Sequence, residues 1–441
     1  MRTFIFVAVV GLMLAIILES VNVIGTPAGS PTKGKKTVNA GTNPKKSPTE
    51  ENKMLWDKAC VLTRLVASSV RLSEAAGEII KAQKHLRNPH YTRKFPKNTK
   101  SAQWCIERSL REKFGKNLMI IGEEEIELPS TPFEPLDALS SSHHLHIFFK
   151  DNDAIEVVPS LEVLRSDERV PDDLRRIELQ DLVVWVDPLD GTSDFTKSKD
   201  NRALLRHVTV LIGITYKGRP VAGIVHQPFY NGEQSRTVWS IVGVGTFGLQ
   251  KTAQQIANIQ RGKAIIDLCD CAVPNVLISP PFQLMDKCRR GSLSLPHASP
   301  NWFKSHWTRW WRELISEVEC VEGAGFKVLR VLEGATAYVY AAGGTKKWDI
   351  AAPEALLIAA GGTLSDMSGR QICYGPSVQL ANSGGLLATA PGVDHQSFVD
   401  AIPQLVKDAL PEKEEETVCC SAGGIFSSVR FFLQRLSRYK N

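Results

Sequence analysis

The feature that most constrains the fold is a short apolar run ending in two carboxylates. Residues 182–186 read Leu-Val-Val-Trp-Val, and residues 187–192 continue as Asp-Pro-Leu-Asp-Gly-Thr. An apolar, β-rich run of this length predicts a buried strand. Its end would present two carboxylates, a carbonyl and a hydroxyl at one edge of a sheet, and such oxygen ligands suit Mg²⁺. Taken alone, the motif fits an Asp-rich turn equally well, because short motifs often match by chance.

Two further acidic segments favour the metal interpretation. Residues 118–125 form another apolar run that ends in Gly and three Glu residues, and Asp349 opens a segment of helical pattern that ends near residue 359. Each acidic group therefore stands at the end of a strand or helix. A two-metal phosphate site needs such a set, since two ions can hold the attacking and leaving oxygens of an in-line displacement.

The three motifs together resemble a known family. Residues 120–124 (IIGEE), 185–192 (WVDPLDGT) and 346–354 (KKWDIAAPE) are similar, in order and spacing, to the lithium-sensitive, Mg²⁺-dependent phosphatases related to inositol monophosphatase. Within that superfamily the chain looks most like the 3'(2'),5'-bisphosphate nucleotidases, over roughly residues 55–410. The resemblance implies an α/β (α+β layered) fold of the sugar-phosphatase kind, in which helices and sheets alternate in layers and form two subdomains.

The resemblance also implies roles for individual residues. The positions that match the family's metal ligands are Glu123, Asp187, the carbonyl of Leu189, Asp190 and Asp349. Thr192 matches the position whose hydroxyl orients the attacking water. The N–H groups of Gly191 and Thr192 would face the phosphate at a helix start, and Gly323 and Lys327 match positions that contact the nucleotide. Mg²⁺ is the implied cofactor.

One departure from the family pattern concerns the residues upstream of the first acidic strand. The family usually carries two Asp residues there, the first of which supports the water-orienting Thr, and this chain has Pro96 and Ala102 at those positions. The segment from residue 81 to 100 holds seven Lys and Arg residues and no acid. General-base assistance is typically worth about 10²–10⁴-fold in rate, so the departure bears directly on turnover.

Three functions follow as expectations. The first is removal of the 3'-phosphate of adenosine 3',5'-bisphosphate to give AMP, by two-metal activation of water. The second is an inositol (poly)phosphate 1-phosphatase that uses the same metal site. The third, motivated by Pro96 and Ala102, is a catalytically weakened relative that binds nucleotide or metal.

The order of segments predicts the domain organisation. Residues 1–25 form a signal peptide or membrane anchor, 26–54 a flexible linker, 55–250 the metal-site subdomain, 251–410 a second α/β subdomain and 411–441 a tail. Residues 126–180 are expected to form a surface insertion, and residues 62–80 an amphipathic helix. Strands are expected at 208–214, 221–226 and 237–242, with a turn at Lys217 and Gly218.

Composition and the terminal run bear on partners and location. A formal net charge of +6 with 23% charged residues argues against a dedicated nucleic-acid partner, whose basic residues should form an extended face. The expected partner is a small phosphorylated nucleotide. The apolar residues 3–24 could tether the chain to a membrane, which suggests the secretory pathway, with a Golgi-membrane protein whose catalytic domain is lumenal; the alternative is the cytoplasm. Nothing in the sequence predicts an oligomeric state.

Overall fold

A six-stranded sheet carries the acidic motif. The computed structural model describes residues 48–85, 98–125, 157–249, 264–266, 318–319, 321–341 and 343–410. The strands of this sheet lie in chain order as β1 Met119–Gly122, β2 Leu182–Asp190, β3 Thr209–Tyr216, β4 Arg219–Asn231, β5 Gln234–Ile241 and β6 Gly245–Phe247. β1 and β2 are parallel, and every later pair is antiparallel. All nine residues of β2 are buried, so the predicted buried strand is confirmed.

The predicted strands and turn of this sheet are also confirmed, with β3, β4 and β5 each longer than the sequence pattern indicated. Between β3 and β4, Lys217 has φ 50° and Gly218 has φ 72°. Positive φ at both central residues is the type I′ geometry that joins antiparallel strands with the correct twist.

Ten α-helices are found among the described residues. They are α1 Pro48–Lys58, α2 Val61–His85, α3 Asn98–Phe114, α4 Leu161–Arg165, α5 Asp172–Arg175, α6 Thr192–Lys197, α7 Ala324–Leu332, α8 Lys347–Ala359, α9 His395–Ala401 and α10 Gln404–Ala409. Short 3₁₀ turns lie at Asp167–Arg169, Leu179–Asp181 and Arg202–His207. The amphipathic helix predicted over residues 62–80 is α2. Its buried apolar positions include Leu62, Leu65, Val66, Leu72, Ala76, Ile79 and Ile80.

A second, five-stranded sheet follows in the later half of the chain. It consists of β7 Ala264–Ile266, β8 Val318–Glu319, β9 Ala337–Tyr340, β10 Thr363–Ser365 and β11 Leu386–Thr389, in the order β10-β11-β9-β7-β8. Helices cover both sheets, and the layered α/β fold is confirmed.

Helix α8 joins the two halves, because it comes from the later half and packs on the first sheet. A Cβ placed on Gly213 would lie 2.6 Å from the Cβ of Ala351, and one on Gly223 would lie 2.3 Å from the carbonyl oxygen of Ala352. Only glycine permits this approach of helix to strand. Trp185 of β2 and Leu356 of α8 belong to the same apolar cluster. The division predicted between residues 250 and 251 therefore crosses a shared core.

Two predicted boundaries need correction. The sequence predicts a linker over residues 26–54, but α1 begins at Pro48. The first turn of α1 carries Glu50 and Glu51, and acids in this position stabilise a helix start through the helix dipole. The sequence predicts a surface insertion over residues 126–180, but Val163 and Leu164 of α4 are buried in the core.

The predicted terminal segments fall beyond what the structure describes. The leader or tether, most of the linker and the tail lie outside the described residues, as do residues 126–156. Within the described residues, none of the helices combines the length and apolar character needed to cross a membrane.

Candidate active site

The end of β2 supplies two of the predicted site carboxylates. The strand pairing with β3 shifts in register between Asp187 and Asp190, and this irregularity lets both side chains leave the strand near one point. The backbone N–H of Leu189 donates to Oδ1 of Asp187 at 2.9 Å. Both carboxyl groups are buried.

Glu123 reaches the same place from β1. Because β1 and β2 are parallel, their carboxyl ends meet at one edge of the sheet, and the N–H of Glu123 donates to the carbonyl of Val186 at 3.1 Å. Glu123 is exposed at the rim. Reduced hydration raises the pKa of its carboxyl, and a hydrogen bond with Asp187 opposes that rise. Two carboxyl groups that share a hydrogen bond hold one proton between them, because two negative charges at this distance repel each other. A cation bound here could take the place of that proton.

Asp349 completes the group from the first turn of α8. The N–H of Lys346 donates to its Oδ2 at 2.7 Å. Burial, followed by the charge of Asp190, raises the pKa of Asp349 to about 7. The pKa of Asp187 also lies well above its usual range, through burial first and then the charges of Glu123, Asp190 and Asp349. The structure therefore brings all four predicted acids into one interacting cluster.

Asp190 is the most firmly held of the four. Its carboxylate accepts hydrogen bonds from the Thr209 hydroxyl at 2.8 Å and from the N–H groups of Ala324 and Gly325 at 3.0 and 2.8 Å. Burial still raises its pKa, against the effect of these donors. The first turn of α7 is thereby anchored to the end of β2.

The predicted substrate residues Gly323 and Lys327 lie at this same helix start. Gly323 has φ 80°, and a Cβ there would stand 2.8 Å from the carbonyl oxygen of His207. Lys327 is buried, with Nζ 5.4 Å from the centre of the Tyr338 ring. Burial lowers the pKa of its ammonium group to about 8, although the charges of Asp190, Asp194 and Asp349 favour the charged form. Lys327 therefore places a cationic group beside the acids.

Thr192, the predicted catalytic residue, is exposed at the start of α6, directly after Gly191 with φ 82°. Its hydroxyl donates to the carbonyl of Leu189 at 3.0 Å. Ala102, where the family pattern calls for an acid, is fully buried on α3. Pro96 lies outside the described residues.

Several residues that hold the site were missed in the sequence. Nδ1 of His207 lies 2.5 Å from Oδ2 of Asp194, both groups are buried, and the His207 ring packs on Phe326. Thr209 was also missed. Its role depends on the pairing Asp190↔Thr209 across the sheet, which no local pattern reveals. For Asp194 the sequence offers one signal, an acid in the first turn of the helix that begins at Thr192.

The donor chemistry of the cluster fits Mg²⁺. Four carboxylates and the carbonyl of Leu189 are all oxygen ligands, as this hard cation prefers, and each oxygen that accepts one hydrogen bond keeps a second lone pair. Among the described residues, no group of three His, Cys, Asp or Glu side chains has the spacing of a metal-ligand set. The assignment of ligands stays a prediction, supported by the ligand type and by the electrostatic influence of these carboxyl groups on one another.

Comparison with known proteins decides the family. The model of the inositol monophosphatase family matches residues 99–407, which span every predicted site residue. The chain belongs to the inositol monophosphatase family. This is a family of phosphatases that generally depend on a metal ion, typically Mg²⁺. The predicted family is thereby confirmed.

Named relatives lie within this family. The human 3'(2'),5'-bisphosphate nucleotidase 1 is 35% identical over 79% of this chain and 97% of its own. The Dictyostelium discoideum 3'(2'),5'-bisphosphate nucleotidase 1 is 27% identical over 78% of this chain and 98% of its own. The Golgi-resident adenosine 3',5'-bisphosphate 3'-phosphatase of Callithrix jacchus is 27% identical over 56% of this chain and 60% of its own.

Proposed function

We propose that this inositol monophosphatase family member removes the 3'-phosphate of adenosine 3',5'-bisphosphate and yields AMP, with two Mg²⁺ ions and water as the nucleophile. The observation that carries the proposal is the cluster of Glu123, Asp187, Asp190 and Asp349. Burial raises the pKa of Glu123, Asp187 and Asp349, and the charges of neighbouring acids raise it further. Such a concentration of negative charge is unfavourable without cations. The nucleotide substrate is supported by the relatives named for bisphosphate nucleotides.

The cations would be held by Glu123, Asp187, Asp190, Asp349 and the carbonyl of Leu189. When bound, they would neutralise charge on the transferring phosphoryl group and lower the pKa of the attacking water. The protein's own part is to fix the ligands: the Thr209 hydroxyl and two N–H groups of α7 hold Asp190.

The negative charge of the substrate phosphate would be neutralised by side chains at the same edge of the first sheet. The buried ammonium of Lys327 stands beside Asp190, at the start of α7. An ammonium in a site with little water attracts a phosphate oxygen strongly, because the local dielectric is low. Thr192 would accept a hydrogen bond from water, since its one hydroxyl proton is directed to Leu189.

A weakened relative that binds without turnover is the second candidate, and one observation favours it. Ala102 is buried at the second of the two positions where the family pattern calls for an acid. The hydroxyl of Thr192 donates its hydrogen bond to the backbone carbonyl of Leu189.

Purified protein with Mg²⁺ and adenosine 3',5'-bisphosphate separates the possibilities. Release of phosphate that is abolished in Asp187→Asn supports the proposal. Asn keeps the acceptor for the Leu189 N–H, so this variant changes charge more than shape. Release from inositol phosphates alone moves the substrate class to those compounds. Binding of nucleotide without phosphate release identifies the weakened relative.

We further propose a location in the secretory pathway, with the catalytic domain in the Golgi lumen. Support comes from the apolar residues 3–24 and from the Golgi-resident relative. Fractionation of cells that express the full chain, followed by protease protection, tests this. A freely soluble cytoplasmic pool would contradict it.

A further inference from the structure

The side chain of Gln103, on α3, binds the backbone at the end of β1. Its Nε2 donates to the carbonyl of Glu124 at 2.9 Å, and its Oε1 accepts from the N–H of Glu124 at 2.9 Å. One amide group therefore satisfies both polar groups of a single residue, as a neighbouring strand would. Gln103 is 1% exposed, so water competes little for these two bonds.

The Gln103 amide is itself held in place. Its second N–H donates to Oε1 of Glu107, one turn further along α3, at 2.8 Å. All of its donors, and an acceptor, are then engaged. Thr99 of the same helix hydrogen-bonds the side chain of Glu124. Helix α3 thus contacts both the backbone and the side chain of the residue that follows Glu123.

The close packing of Gln103 depends on Gly122. A Cβ on Gly122 would stand 2.0 Å from Nε2 of Gln103, well inside contact distance. The backbone is consequently fixed on both sides of Glu123: its own N–H donates to Val186, and the next residue is bound by Gln103.

We propose that Gln103 is a positioning residue that directs the Glu123 carboxylate toward Asp187. By this contact α3 supports the site through an amide, beside the position where Ala102 replaces an acid. The proposal rests on the proposed function in one respect, that Glu123 binds the cation. Partners that orient a metal ligand typically matter about 10–100-fold in metal affinity.

The test is Mn²⁺ binding measured by electron paramagnetic resonance, without substrate, in wild type and Gln103→Met. Met has a similar length and no strong hydrogen-bonding group. The matched control is Gln404→Met, because Nε2 of Gln404 also donates to an acid four residues on, Asp408, at 2.8 Å. We expect Mn²⁺ affinity to fall about tenfold or more in Gln103→Met and to stay unchanged in the control. Equal affinity in all three proteins overturns the proposal.

Gly122→Ala gives a second approach if Gln103→Met folds poorly, since it displaces the amide without altering it. Its effect and that of Gln103→Met should not add in the double variant, because both act through one contact. Additive losses overturn the proposal. Phosphate release is measured separately. A wild type that binds Mn²⁺ without releasing phosphate refutes the proposed function and leaves the Gln103 result to stand. A wild type that binds no Mn²⁺ overturns the Gln103 proposal.

Discussion

The hydroxyl of Thr192 donates its proton to the carbonyl oxygen of Leu189 at 3.0 Å. A hydrogen bond therefore joins the predicted catalytic hydroxyl to a predicted metal-ligand carbonyl. In this arrangement the Thr192 oxygen can accept a hydrogen bond, and the Leu189 carbonyl keeps a second lone pair for a cation.

Thr192→Val should lower kcat for phosphate release by roughly 10²-fold, because the variant keeps the side-chain size and loses the acceptor for water. Thr192→Ser should retain most of the activity. Thr196→Val is the matched control: its hydroxyl bonds a carbonyl on the same helix at 2.9 Å and is exposed. A similar loss in both Val variants would assign the effect to the helix.

Gly223→Ala should weaken Mg²⁺ binding about tenfold, because the new Cβ would meet the carbonyl of Ala352 at 2.3 Å and move α8 with Asp349. The free energy of unfolding should fall by roughly 1–3 kcal/mol. Isothermal titration and urea unfolding measure the two effects. Gly232→Ala, at a hairpin with φ 68° and open space, should cost about 1 kcal/mol of stability and leave Mg²⁺ binding intact. Unaltered Mg²⁺ affinity in Gly223→Ala would contradict the expectation.

Arg236→Met should destabilise the protein by about 3 kcal/mol in urea unfolding. Its guanidinium bonds Glu333 at 2.5 Å with both groups buried, and removal of one partner leaves a buried charge. Arg330 lies 3.1 Å from Glu333 and still pairs with it in the variant. We therefore expect a loss at the lower end of the roughly 3–5 kcal/mol that breaking a buried ion pair typically costs. The double variant Arg236→Met/Glu333→Met should recover much of it. Arg202→Met breaks an exposed pair with Glu233 and should change stability by less than about 1 kcal/mol.

Acid should destabilise the protein partly through His226. Burial, followed by the charge of Lys81, lowers its pKa to about 3. The unfolded chain takes up a proton below its ordinary pKa of about 6.5 and the folded chain does not, so stability falls as pH drops from about 6.5 toward 3. The slope for one group is at most about 1.4 kcal/mol per pH unit. His226→Gln should flatten the curve of unfolding free energy between pH 6 and 4; parallel curves would refute this.

The individual strands, helices and turns were largely predictable from the sequence. The residues that hold the site in place through contacts distant in the chain were not. Strand β2, helix α2 and the turn at Lys217 follow from periodicity and turn residues that neighbours in sequence already display. The four acids were found because each directly ends or opens an element. Thr209 and Gln103 were missed because they act through pairing with residues distant in the chain. The start of α1 at Pro48 was missed because Lys and Pro in the preceding residues masked a helix that packs through Trp56 on Phe114.

Helix α8 packs against Gly213 and Gly223 of the first sheet. The affinity for the metal ion should therefore report how tightly α8 packs on that sheet. Asp349 arrives with α8, whereas the other three acids come from the first sheet. A substitution that weakens the packing of α8 on the first sheet should first raise the Mg²⁺ concentration needed for activity, while the chain is still folded. Assays run in saturating Mg²⁺ would conceal such damage, and assays in limiting Mg²⁺ would reveal it, even for substitutions far from any reacting atom.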